Sequence, residues 1–196
     1  VDSWLEVAPD RPATEVTVDV TFLERLRPPL PSRILWPDGY HIARWHPGVE
    51  EYLALYRAVG APHCWWMRYM MSHAMLHRII ASPHTHICRL HGPDGVAGFF
   101  EIDLEKPETP YLSYLGLLPA AQGKGLGKRL LKAAIQQAWQ DETRVLRVNT
   151  CTADHPNALP TYRAAGFVPI MVEQEHWHIP DDLGLVLPEH LVKARR

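Results

Sequence analysis

The stretch from Tyr111 to Trp139 constrains the fold more than any other part of the chain. An apolar run, Tyr111 to Leu118, leads into Gln122-Gly123-Lys124-Gly125-Leu126-Gly127. Leu126, Leu130, Leu131, Ala134, Ile135, Ala138 and Trp139 then recur at helical spacing and predict an amphipathic helix. The apolar run carries Leu, Tyr or Ser on both faces, which predicts a central strand buried from two sides. Arg144 to Thr150 predicts the next strand, so the unit is a strand–helix–strand crossover, right-handed in nearly all proteins. A helix start leaves four backbone N–H groups without partners and carries partial positive charge. Glycines let that backbone approach an anion closely. The segment therefore predicts a phosphate cradle, with Lys124, Lys128 and Arg129 adding charge. It is neither a Walker-type loop nor a Rossmann fingerprint, and alone it would also suit a tight turn.

Around this unit the pattern is mixed. Val16, Val18, Val20 and Phe22 alternate within 14–23 and predict a strand, after a loose start over 1–13. Prolines at 28, 29, 31 and 37 predict an irregular arm. Tyr40 to Trp45 predicts a short strand. Pro47 is placed to open a helix carrying Val49, Tyr52, Leu53, Tyr56 and Val59, which Gly60 and Pro62 stop. A second helix is predicted over 67–80, with a methionine stripe read as flexible core or pocket lining. Residues 85–90 and 96–104 flank Gly92-Pro93-Asp94-Gly95 and predict a hairpin. A short helix over 156–165 closes at Gly166, and 167–175 predicts a last strand. The tail from Pro180 is weakly helical. The expected fold class is mixed α/β, a largely antiparallel sheet of six to seven strands with about four helices.

Composition excludes several function classes. The chain has 196 residues, net charge −2 and interspersed signs, which gives no electrostatic case for nucleic acid. No apolar run is long enough to span a membrane, and the first residues lack the pattern of a secretory signal. Three cysteines, at 64, 88 and 151, read as thiols in a reducing cytoplasm. The twelve histidines include close pairs at 73/77, 84/86 and 176/178, but no Cys or carboxylate set completes a metal site, so no metal is expected.

Leu115 to Gly127 closely resembles the cofactor motif of the GNAT superfamily of N-acetyltransferases, a strand followed by Q/R-x-x-G-x-G/A opening a helix. Ala158-Leu159-Pro160-Thr161-Tyr162-Arg163-Ala164-Ala165-Gly166-Phe167 resembles that family's second signature, A-x-x-x-Y-x-x-x-G-F. The resemblance is strong over 109–167 and holds in element order from Tyr40 onward. It implies an N-terminal arm with one strand over 1–35, an acetyltransferase domain over 36–179 and a tail over 180–196.

The resemblance also implies a function and its residues. The donor would be acetyl-CoA and the acceptor a primary amine on a small molecule or peptide. The alternative is an acyl-CoA-binding sensor or scaffold without turnover. The central strand would part from its neighbour, and Leu115, Gly116 and Leu117 would pair with the pantetheine arm. The Leu117 N–H would face the thioester oxygen, a contact worth about 3–4 kcal/mol in other acyl-transfer enzymes. Gln122, Gly123, Lys124, Gly125, Leu126, Gly127 and Lys128 would hold the pyrophosphate, and Tyr162 would protonate the departing thiolate.

Relatives with a glutamate base carry it at the strand position of Thr150, so Glu101, amid apolar neighbours, or a water chain is the candidate base. Where relatives often carry Asn, this chain has His155, with Asn157 two residues on, and either could touch the cofactor. Trp65, Trp66, Arg68 and Trp177 are candidates for the acceptor wall, the tryptophans equally for the core. Carboxylates on the last strand would favour a cationic amine. The family's usual seventh strand has no candidate after His178. Residues 14–23 could fill that edge from the same chain or from a partner in a homodimer.

Overall fold

The computed structural model describes residues 7, 8 and 10–192. The loose start expected over 1–13 falls mostly outside the described residues, as does the end of the tail. Seven strands form one sheet in the order β2-β3-β4-β5-β6-β1-β7. They are β1 (Ala13–Arg25), β2 (His41–Arg44), β3 (Thr85–Gly92), β4 (Gly95–Asp103), β5 (Tyr111–Leu117), β6 (Leu146–Cys151) and β7 (Val168–Pro180). The helices are α1 (Val49–Gly60), α2 (His73–Ile80), α3 (Leu126–Ala138) and α4 (Ala158–Ala164). All strand pairs are antiparallel except β5–β6, the pair that α3 connects.

The strongest sequence periodicity becomes the best-buried helix. Leu126, Leu130, Leu131, Ala134, Ile135 and Ala138 of α3 are buried against the sheet. Full burial of one such leucine contributes about 1.5–3 kcal/mol. The expected helix over 67–80 divides instead. Met67–Met70 forms a 3-10 turn, and α2 starts only after Ser72, whose Oγ accepts the Met75 N–H at 3.2 Å. That serine is an N-cap within the apolar stripe, and periodicity alone does not register it. Pro47 likewise lies one residue before the α1 cap, Gly48.

The N-terminal strand takes an interior place, not an edge. β1 pairs with β6 over Val20–Arg25 and with β7 over Ala13–Glu24, so the same chain supplies the strand between them. Val16, Val18 and Val20 are buried with Cys64, Trp66 and Leu191, while Leu23, past the β7 irregularity, packs with the α3 side. β7 becomes the outer strand and leaves Val168, Ile170, Met171 and Val172 exposed. The last strand runs to Pro180, further than expected, because β1 offers it partners along its whole length.

Candidate active site

The parallel pair opens almost as soon as it forms. β5 and β6 are in register only at Tyr111–Arg147 and Leu112–Val148. An irregularity opposite Glu101 and Ile102 leaves Ser113 out of register with β4. Beyond it, β5 stays with β4 while β6 follows β1. A cavity of about 800 Å³ occupies the gap, within the range of small-molecule sites. Only Leu112 of β5 is fully buried, where burial from both sides was expected, because the strand borders this opening.

The glycine loop rims the same cavity. Gly123 and Gly125 have φ of +75° and +70°, a region that disfavours side chains. Gly125 is the α3 N-cap and brings no side-chain cap, so no side chain claims the first N–H groups of the helix. Gln122, Gly123, Gly125, Leu126, Gly127 and Lys128 line the cavity; Lys124 is exposed and outside its lining. Arg129 is occupied with backbone, donating to Gly125 O at 3.0 Å and to Leu35 O at 2.9 Å. Leu115, Gly116 and Leu117 form the adjoining wall. Gly116 is needed for a different reason: a Cβ there would lie 2.3 Å from Val59 Cγ1, so the glycine lets α1 close onto β5.

α4 carries Tyr162 to the wall, 8% exposed. Burial pushes its phenol well above the ordinary tyrosine value, and Asp154 and Tyr111 add to the shift. His155 and Asn157 both reach the cavity at the start of α4, where the His155 ring nitrogen Nδ1 accepts the Asn157 N–H at 3.1 Å.

Two wall residues that the sequence did not mark as chemical lie beside them. Asp154 Oδ2 accepts from Thr150 Oγ1 at 2.8 Å and from the Cys151 N–H at 2.9 Å. Its Oδ1 faces the Trp65 indole N–H at 3.5 Å. His63 stands on the facing turn, its ring 6.1 Å from that of His155. Burial lowers the His63 pKa below the ordinary imidazole value, while Asp154 and the nearby Ala153 backbone oppose the shift. The following residue, Cys64, holds a left-handed backbone (φ 56°), which makes the sharp corner between α1 and Trp65. In the sequence His63 and Asp154 lie 91 residues apart, with no shared motif. Only the fold brings them together.

Glu101, the candidate base, is set back from the cavity. It is 1% exposed and absent from the cavity wall. One oxygen pairs with Arg68 and the other accepts the Tyr52 hydroxyl at 2.5 Å. Arg68 does reach the wall, with its guanidinium 5.1 Å from the centre of the Tyr114 ring. Trp65 packs with Tyr56 and Tyr114, and Trp66 meets Trp177; all three tryptophans line the cavity. Among the described residues, no group of three or more His, Cys, Asp or Glu could hold a metal ion. Among the same residues, no helix is long and apolar enough to cross a membrane.

The sheet parts at its one parallel pair, over a glycine-rich helix start, and leaves an open slot between two strands. The chain belongs to the acetyltransferase (GNAT) domain family, whose model matches residues 52–181. It is 30% identical over 110 residues to the N-alpha-acetyltransferase RimI of Mycobacterium tuberculosis (strain ATCC 25618 / H37Rv), across 54% of this chain and 66% of RimI. A GCN5-related N-acetyltransferase from Sphaerobacter thermophilus shares the fold with TM-score 0.62 and 16% identity, over 86% of this chain and 54% of that one. A GCN5-related N-acetyltransferase from Kribbella flavida does so with TM-score 0.56 and 15% identity, over 85% and 60%. The chain thus spans 66% of the curated relative and little more than half of the first of these structures.

Proposed function

We propose that this protein transfers an acetyl group from acetyl-CoA to a primary amine by direct attack, with both substrates bound together. The observation that carries the reading is the parting of β5 from β6 after two register positions, directly over the glycine loop and beside Tyr162. The fit to the donor is specific. The open β5 edge offers backbone groups at Leu115 and Leu117, while Gly116 turns its own toward Phe99 of β4, and the α3 start offers N–H groups that no side chain claims. Gly123 has nothing within 4 Å of where a Cβ would stand, which leaves room for a phosphate. Lys128 adds charge at the same rim. His155 and Asn157 flank the slot.

Acetyl-CoA would supply the activated carbonyl and a thiolate leaving group. Tyr162, held protonated by burial, donates its proton to that sulfur as the carbon–sulfur bond breaks. The Leu117 N–H polarises the carbonyl oxygen. His63 is neutral near pH 7 and takes the proton that the attacking nitrogen gives up. Asp154 stabilises the imidazolium. Glu101 serves by compensating Arg68 and not as the base. The three cysteines are free, in keeping with a cytoplasmic setting.

The test is release of free thiol from acetyl-CoA across a panel of amines and peptides, with isothermal titration of coenzyme A alongside. Thiol release that depends on an amine supports transfer. Coenzyme A binding without release under any acceptor would replace transfer with the sensor reading, and no binding would end both.

A further inference from the structure

Trp66 and Trp177 are far apart in sequence and meet on the cavity wall. Their ring centroids are 6.3 Å apart and tilted by 53°. Two residues before Trp177 on β7 stands Glu175, half-buried and on the same face of the strand. Its Oε2 accepts the Trp177 indole N–H at 2.7 Å, which fixes both the carboxylate and the ring. Among the described residues, no cation pairs with Glu175.

The other charges on the wall do not answer it. Arg68 is spent on Glu101, and Lys128 sits at the α3 rim. Asp154 adds a second negative group. An indole face attracts a cation, more strongly when water is partly excluded, and a fixed carboxylate beside it adds to the attraction.

We infer that the corner formed by Trp66, Trp177 and Glu175 is a subsite for a second cationic group on the acceptor. This rests on the transfer reading above and names its substrate class: a diamine or polyamine, or another amine with a charged nitrogen distal to the one that reacts. An acceptor that carries a carboxylate there is repelled. Glu175 and Trp177 then select the substrate without touching the reacting atoms. Glu175 is the anion, and Trp177 both cages the ligand and positions Glu175.

The experiment compares putrescine and cadaverine with aminobutanol and aminopentanol, pairs of matched length whose far end is charged or neutral. At low salt, kcat/KM for each diamine is expected to exceed that of its amino alcohol by ~10-fold or more, mainly through KM. The ratio falls toward one in Glu175→Gln, and it falls as ionic strength rises. A wild-type ratio near one, with measurable turnover, overturns the subsite and leaves the transfer reading standing. A ratio that persists in Glu175→Gln also overturns it. If none of these four amines is acetylated while another acceptor of the panel is, the subsite falls and the transfer reading stands; if no acceptor of the panel is acetylated, both fail.

Discussion

The Thr150 hydroxyl donates to Asp154 at 2.8 Å, which restores a carboxylate beside the strand position where a glutamate base would otherwise stand. Asp154 also accepts a backbone N–H, so two hydrogen bonds fix this carboxylate in place. In the proposed mechanism the proton-accepting role falls to His63, with Asp154 as its electrostatic partner.

Tyr162→Phe removes the proton donor and leaves the ring packed against Phe167. Steady-state kinetics should show kcat lowered by at least ~10-fold. Titration calorimetry should show little change in acetyl-CoA affinity. Unchanged turnover would remove the acid role.

Gly125→Glu puts a side chain at φ +70° and a negative charge at the α3 start. Coenzyme A binding should fall below detection by calorimetry, while thermal unfolding shows a folded protein. Wild-type affinity would mean that the loop holds no phosphate.

The acid limb of the pH–rate profile should belong to His63. A base must be unprotonated, so activity is present above its pKa and lost as pH falls through it. Burial places that midpoint below the ordinary imidazole value of about 6.5. The His63→Gln variant should lose this limb along with most of kcat. A limb unchanged in the variant would assign the titration to another group.

Glu101→Gln should act on stability before chemistry. It leaves the Arg68 guanidinium uncompensated where the two side chains are 8% and 2% exposed. Breaking a buried pair in this way costs about 3–5 kcal/mol, readable by denaturant unfolding. The shape of the pH–rate profile should persist. If the profile changed while stability held, Glu101 would regain the base role.

The sequence made the glycine-loop side of the cavity legible and left the facing wall obscure, for physical reasons. A phosphate cradle is local: Gln122 to Lys128 are contiguous, and α3 follows with an unbroken stripe. Tyr162 was readable from its signature. His63 and Trp66 from one segment, Asp154 from a second and Glu175 from a third converge on one wall, and nothing in their local spacing announces that. Glu101 illustrates the reverse error. Its apolar neighbours indicated burial correctly, but its partners, Arg68 and Tyr52, lie on other elements. The second helix was overextended because a methionine stripe continues across a capping serine.

The interior position of β1 carries a cost in time. This strand leaves the ribosome before both of its partners, since β6 and β7 follow more than a hundred residues later. Until they emerge, Val16, Val18 and Val20 have no ladder to join, and closing so long a loop is slow. During synthesis the valine-rich segment therefore waits without its sheet partners, and the Trp66–Trp177 wall resting on β1 is completed only when the last strand docks.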